Sequence, residues 1–329
     1  MQTLPPNQQR LRRGLSRVEV VICVSVFGFL LLMVAPSIQD TRRPRRRMEC
    51  QVNLKNIALA TMQYASLNGG RIPHLEDGQF GWPVVLLPYL DAAALSRSLR
   101  QDPMVVDKEW QKTKQPMLFK ILTCPVDTSN AGKHLGLSYV ANAGWGRFQA
   151  DPMTDSVRES KRHTADLDWN QDGQITEEEL RLARATGLFW RPHDDGFQLT
   201  LDEVSEGDGQ TQTMLFTENV NARNWLSRET FDLATVIDLD RIEFEPMKDG
   251  LLNLNVRSAN LGPFAIQPKP RVLPGHSPVP SSNHAGVFHA AFADGRVEYV
   301  NFNVAPRVHL ARMTWDGIRY GEDRERHFE

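Results

Sequence analysis

Twelve consecutive residues carry the most specific chemistry in this chain: Asp168-Trp169-Asn170-Gln171-Asp172-Gly173-Gln174-Ile175-Thr176-Glu177-Glu178-Glu179. Asp168, Asn170 and Asp172 place side-chain oxygens at positions 1, 3 and 5 of the twelve-residue calcium-loop pattern. Gly173 permits the sharp turn at position 6, Gln174 offers its carbonyl at 7, and Ile175 is the apolar residue at 8. In that pattern Thr176 would reach the ion through water, and Glu179 would close the site in bidentate fashion. Hard oxygen donors in this number suit calcium better than zinc or copper. The plainer reading is a polar surface turn that merely begins a helix, and the number of matching positions argues against it.

Other residues with reactive side chains form weaker patterns. His193-Asp194-Asp195 and His276 are scattered and read as solvated loop residues. His284 is a candidate metal ligand with His289 or Asp294, although a histidine so placed more often caps a loop. No G-x-S-x-G, H-E-x-x-H or phosphate-binding glycine loop is present, and no nucleophile and base can be assembled. The expectation is a protein that is not an enzyme. A formal net charge of -2 over 329 residues gives no support for nucleic-acid binding.

The elements that must position these residues are legible in part. Thr176 with Glu179 forms a capping box at the head of a helix over 177–185, whereas the entry side, 155–167, shows little apolar periodicity. One loop with one good helix is the pattern of a solitary EF-hand, inserted at about 155–186. With no second hand to pair with, it predicts a stabilising site rather than a sensor. Residues 48–67 read as a helix with one apolar stripe, Leu54, Ile57, Ala58, Thr61, Tyr64 and Ala65, stopped by Asn68-Gly69-Gly70. Asp294-Gly295 between β-rich runs predicts a hairpin over 284–303. Pro263 to Pro280 reads as a long irregular connection.

At the N-terminus, Arg12-Arg13-Gly14-Leu15-Ser16-Arg17-Val18-Glu19 runs into the apolar segment Val20 to Ala35. A carboxylate within such a segment costs roughly 2.5–3.5 kcal/mol on insertion scales, so Glu19 needs a partner or a purpose. The arrangement resembles the prepilin signal of type IV pilins and type II secretion pseudopilins. That resemblance implies cleavage by prepilin peptidase between Gly14 and Leu15, methylation of the new terminus, and a role for Glu19, the fifth mature residue, in subunit assembly. It also implies a helix kinked at Pro36. A secretory signal peptide is a competing reading, but its cleavage site follows the apolar run, and Ala35-Pro36 is a poor one. An ordinary membrane anchor and a buried core helix are the others. The flanking arginines disfavour the last, and extension over 15–38 supplies a spanning length.

Arginines stand on both sides of the segment, so charge alone does not orient it. The prepilin signal implies a cytoplasmic N-terminus, a single pass through the inner membrane, and a body in the periplasm or at the cell surface. Arg42, Arg43, Arg45, Arg46 and Arg47 would then lie beside anionic headgroups or form a solvated helix face. Cys23 falls in the apolar segment. Cys50 and Cys124 fall in the exported part, where a disulfide persists, and are the candidate pair; the sequence leaves their backbone separation open.

A narrower resemblance runs along the rest of the chain. Arg47-Met48-Glu49-Cys50-Gln51-Val52-Asn53-Leu54-Lys55-Asn56-Ile57, followed by Arg71-Ile72-Pro73, resembles the opening of the DUF1559 family, whose members begin with a prepilin signal. Gly81-Trp82 through Leu86-Leu87-Pro88-Tyr89-Leu90 is similar to its LLPYL block. Cys124-Pro125-Val126-Asp127 is similar to its CPSD block, with valine for serine. Ser138-Tyr139 to Asn142-Ala143-Gly144 comes next, then Asp202-Glu203-Val204 to Thr213, closing on Glu218, where Asp208-Gly209-Gln210 departs from the pattern. His284 and Asp294-Gly295, with nine residues between them, match the H-x9-DG signature.

Together these readings predict an α+β, pilin-like fold: a leader over 1–14, a transmembrane helix over 15–38, and an exported domain over 39–329 whose long kinked helix packs on an antiparallel sheet. The function expected is a membrane-anchored pilin- or pseudopilin-like subunit with a bound calcium ion. Its partners would be prepilin peptidase, the membrane, and other pilin-like subunits or a secretion or pilus machine. The alternative is a surface or periplasmic binding module for glycans or other extracellular polymers, held by a pilin-type anchor.

Overall fold

The computed structural model describes residues 16–40, 42–146, 176–192, 196–238, 245–248, 251–253 and 278–317. It divides into two compact units, Met1–Arg46 and Arg47–Glu329. The leader and the Gly14–Leu15 junction lie outside the described residues.

In the first unit, Ser16 caps helix α1 (Arg17–Asp40). The Ser16 amide donates to Glu19 Oε2 at 2.7 Å, and Ser16 Oγ accepts from the Glu19 amide at 3.3 Å. This reciprocal box satisfies two backbone donors that a helix start would otherwise leave open. Glu19 therefore has a partner within its own chain. Helix α1 runs through Pro36, and its described apolar side chains point all round the axis: Val18, Val21, Val24 and Phe27 are each more than 60% exposed within the chain (68, 64, 67 and 65%). Among the described residues no helix is long and apolar enough to cross a membrane. The α1 side chains past Leu30 are outside that description, so the expected span is only partly in view.

Helix α2 (Arg42–Leu67) carries the predicted stripe. Leu54, Ile57, Ala58, Thr61 and Ala65 are buried, and Tyr64 is half-buried edge-on to Tyr89. Pro44 sits in the first turn of α2, where its missing N–H costs nothing. The helix stops as predicted: Gly69 and Gly70 take φ of +67° and +81°, and the Gly70 amide donates back to Ala65 O at 2.8 Å.

From α2 the chain continues through α3 (Trp82–Leu86), α4 (Ala93–Gln101), α5 (Val105–Thr113), β1 (Tyr139–Gly146), α6 (Glu177–Arg184), α7 (Leu201–Glu206), β2 (Met214–Glu218), α8 (Thr230–Leu233) and β3 (Ala234–Asp238). It ends with β4 (Glu245–Lys248), β5 (Leu251–Asn253), β6 (Val287–Phe292), β7 (Val297–Asn301) and α9 (Pro306–Met313). Five strands form one sheet in the order β3-β1-β2-β6-β7, and β4 pairs with β5 separately.

The sheet is mixed, which corrects the expectation of a wholly antiparallel one. Strands β1, β2, β6 and β7 pair with one another antiparallel in that order, but β3 runs parallel to β1. The far side of β2 is already taken by β6, so a chain leaving β2 must pass the end of β1 and enter at its open edge. A strand arriving that way runs opposite to β2 and hence along β1.

Both faces of the sheet are covered. Alternation along β6 sends Phe288, Ala290 and Phe292 to a smaller core with Trp145, Met214, Leu310 and Met313. Ala291 and Ala293 face the larger core, which holds α2 and Trp82. Trp82 packs on Phe189 and Phe216 and donates Nε1–H to Leu233 O at 2.9 Å, and Leu86, Leu87 and Leu90 of the LLPYL block are buried in the same core. In β1 the register slips between Asn142 and Trp145. Gly144 sits at that slip with φ +76°, and a Cβ there would lie 2.4 Å from Thr186 Oγ1 and 2.8 Å from the Gly187 amide.

Candidate functional site

The predicted calcium loop enters the described residues only at its end. Asp168, Asn170, Asp172 and Gln174 lie outside them, as do His193, Asp194, Asp195 and His276. What is described fits the expected exit. Glu179 Oε2 accepts from the Thr176 amide and from Thr176 Oγ1, each at 2.8 Å, and Thr176 Oγ1 accepts from the Glu179 amide at 3.2 Å. The predicted capping box thus starts α6, one residue shorter than expected, and it fixes loop positions 9 and 12 relative to each other. Glu179 is only 6% exposed, an unusual place for a carboxylate on a plain surface turn.

A second site is complete in the described residues. Cys50, on α2, is joined by a disulfide to Cys124, with Cα atoms 5.0 Å apart across 74 residues of sequence. The candidate pair is therefore bridged. Cys124 opens a turn that Asp127 holds shut: the buried Asp127 carboxylate accepts from the Ser129 and Asn130 amides, from Asn130 Nδ2 at 2.7 Å and from Ser138 Oγ at 2.6 Å. Burial raises the Asp127 pKa against those hydrogen bonds. Asn130 Nδ2 also donates to Val220 O at 3.1 Å, which ties the turn to the end of β2. The CPVD segment is thus a positioning device for Cys124.

Glu218 ends β2, a strand buried along its whole length. Its Oε2 accepts from the His289 amide at 3.0 Å. Its Oε1 lies 3.0 Å from His289 Nδ1 and 3.4 Å from His284 Nε2, with all three side chains at most 2% exposed. Burial alone would raise the Glu218 pKa, but the His284 and His289 imidazoles beside it bring it down to about 2. The two rings meet edge-on with centroids 4.6 Å apart, and His284 Nε2 is 3.5 Å from Cys124 Sγ. Tyr139 closes the floor: its hydroxyl donates to Cys50 O at 3.2 Å, and burial, then the Glu218 charge, raises its pKa well above 10.

His284 is brought here by the loop before β6. The Ser281 amide donates to Glu218 O, Ser282 Oγ accepts from the His284 amide, and Asn283 Nδ2 donates to Val126 O. His284 is therefore an interior group and not a surface loop cap. Of its proposed companions, His289 is present and Asp294 is not. Asp294 sits at the hairpin tip, where it accepts from the Arg296 amide at 2.9 Å and Gly295 takes φ +81°. The hairpin itself forms as predicted, with Val287 opposite Asn301 and Ala291 opposite Val297.

The blocks around Cys50, Cys124, Tyr139, Glu218 and His284 thus meet at one buried point. A sequence model for the family described as "Protein of unknown function (DUF1559)" matches residues 39–307. The chain belongs to the DUF1559 family. No curated protein and no solved structure matches it. The DUF1559 match covers both cysteines, Glu218 and both histidines of the cluster, as well as the predicted calcium loop.

No motif in the sequence marks Glu218 or Tyr139 as a site residue. The available signal was the strand Met214-Leu215-Phe216-Thr217-Glu218, in which an acid closes an otherwise buried run and so requires buried partners.

Proposed function

We propose that this protein is a non-enzymatic, membrane-anchored subunit of pilin or pseudopilin type, processed at Gly14–Leu15 by prepilin peptidase, with calcium held in its exported body. The observation that carries the reading is α1. A helix apolar all round, with its described side chains exposed, must be covered by lipid or by other such helices, because contiguous exposed apolar surface of that extent is not left in water. The Ser16–Glu19 box leaves a single acid at the start of that helix, where the mature N-terminal amine of a neighbouring subunit would meet it. Calcium binding rests on the twelve-residue pattern and is supported by the Thr176–Glu179 pairing at positions 9 and 12 of that pattern.

Mass spectrometry of the mature N-terminal peptide tests the processing step. A peptide beginning at methylated Leu15 is expected, and one retaining Met1 rejects the reading. Crosslinking in membranes then tests assembly. Higher oligomers favour the subunit, and a monomer with intact processing favours a surface binding module on the same anchor.

A further inference from the structure

The disulfide and the charged cluster beside it share one geometry that neither needs by itself. The ligand-capable atoms of Cys50, Cys124, Glu218 and His284 all lie within 4.8 Å of one another, and all four residues are buried. A tetrahedral zinc site has Zn–S near 2.3 Å and Zn–N and Zn–O near 2.0–2.2 Å, which puts neighbouring ligand atoms roughly 3.3–3.8 Å apart. The separation of His284 Nε2 from Cys124 Sγ is 3.5 Å, and that of His284 Nε2 from Glu218 Oε1 is 3.4 Å. Two of the ligand spacings are thus already those of a metal site. The Cys50–Cys124 pair is the one that must open, since bonded sulfurs are poor ligands and thiolates are good ones.

The surroundings hold the four groups as ligands are usually held. Each comes from a different element: α2, the turn closed by Asp127, the end of β2, and the loop before β6. The Glu218 carboxylate is oriented by the His289 amide on Oε2, while Oε1 faces both His284 Nε2 and His289 Nδ1. The His284 backbone is fixed by Ser282, and that of Cys50 by Tyr139. Such supporting contacts preset ligand direction.

We propose that the dithiol form of this protein binds one zinc ion through Cys50 Sγ, Cys124 Sγ, His284 Nε2 and Glu218 Oε1, so that one buried point serves either as a disulfide or as a metal site. Two thiolates, an imidazole and a carboxylate suit zinc and disfavour calcium, so this site is distinct from the loop ending at Glu179. The conversion is balanced with a phosphine as reductant. The phosphine and one water cleave the S–S bond to give two thiols and a phosphine oxide. Zinc then displaces the two thiol protons to solvent as the Zn–S bonds form. Where no reductant acts, the disulfide holds α2 to the Cys124 turn, and no zinc enters.

The test uses the full chain in detergent, stripped with a chelator, in oxidised and phosphine-reduced forms. Cobalt is the spectroscopic probe and zinc the competitor. The reduced protein is expected to show a thiolate-to-cobalt charge-transfer band with tetrahedral visible bands, saturating at one equivalent and abolished by zinc. The oxidised protein should show neither. His284→Gln and Glu218→Gln should each weaken zinc at least tenfold, while Glu179→Gln leaves it unchanged. Should the reduced chain lose its fold, zinc is expected to restore the native circular dichroism, and failure to do so overturns the proposal. The absence of the charge-transfer band in folded reduced protein overturns it too, as does an identical affinity in His284→Gln.

Discussion

At the residue scale, Glu19 has two roles that ordinary mutagenesis confounds. It closes a capping box with Ser16, and on the proposed function it also offers a charge to a neighbouring subunit. Glu19→Ala removes both. Glu19→Gln keeps a side chain that can fill the box but removes the charge. Crosslinked oligomers should therefore disappear in both variants, with processing at Leu15 intact, if charge pairing drives assembly. Survival of oligomers in Glu19→Gln alone would reduce Glu19 to a helix cap.

His309 on α9 gives a second residue-level prediction. It is buried against the Phe288 ring, and burial, followed by the Arg312 charge, lowers its pKa from 6.5 to about 4. The neutral form is favoured in the fold, so its stabilisation is complete above pH 6.5 and is lost as pH falls toward 4. The difference corresponds to about 3 kcal/mol. Urea midpoints taken from pH 7 down to pH 4 should fall more steeply in the wild type than in His309→Leu.

At the scale of elements, the Cys50–Cys124 bridge closes a 74-residue separation between α2 and the turn before β1. Its removal in Cys50→Ser should cost about 2–4 kcal/mol in urea unfolding under oxidising conditions. The β1 irregularity makes a separate demand. Gly144→Ala meets both an unfavourable φ and the backbone of Gly187, which should cost on the order of 1–3 kcal/mol or more, read as a lower urea midpoint. What was legible in the sequence was what local chemistry decides. The α2 stripe, its Gly-Gly stop, the Asp294-Gly295 turn and the Thr176–Glu179 cap each depend on residues a few positions apart. The parallel β3 was not legible, because its direction follows from which sheet edge β6 leaves open. Nor was the Glu218 cluster: its His289 contact spans 71 residues and the Cys124–His284 contact 160, and no period or turn rule reaches that far. The cysteine pair lay between these cases, nameable from compartment and number but not from spacing.

At the scale of the whole molecule, the division at Arg46 separates an exposed apolar helix from a body with its own sheet, two covered faces and a buried covalent link. A fragment beginning at Arg47 should accordingly unfold cooperatively without detergent. That fragment also isolates the calcium contribution that the proposed function requires. Extracellular calcium loops bind at roughly 10⁻⁴–10⁻³ M, so a few millimolar calcium adds about 1–2 kcal/mol through mass action. Unfolding with calcium and with chelator should differ by that amount in the wild-type fragment. Glu179→Gln should abolish the difference, because on the proposed function Glu179 is the closing ligand, buried beside Thr176. In the oxidised fragment Glu218→Gln should lower stability in both conditions and leave the calcium increment intact, because that carboxylate serves the buried cluster. A calcium increment that persists in Glu179→Gln would refute the loop, and equal loss in both variants would join the two sites into one.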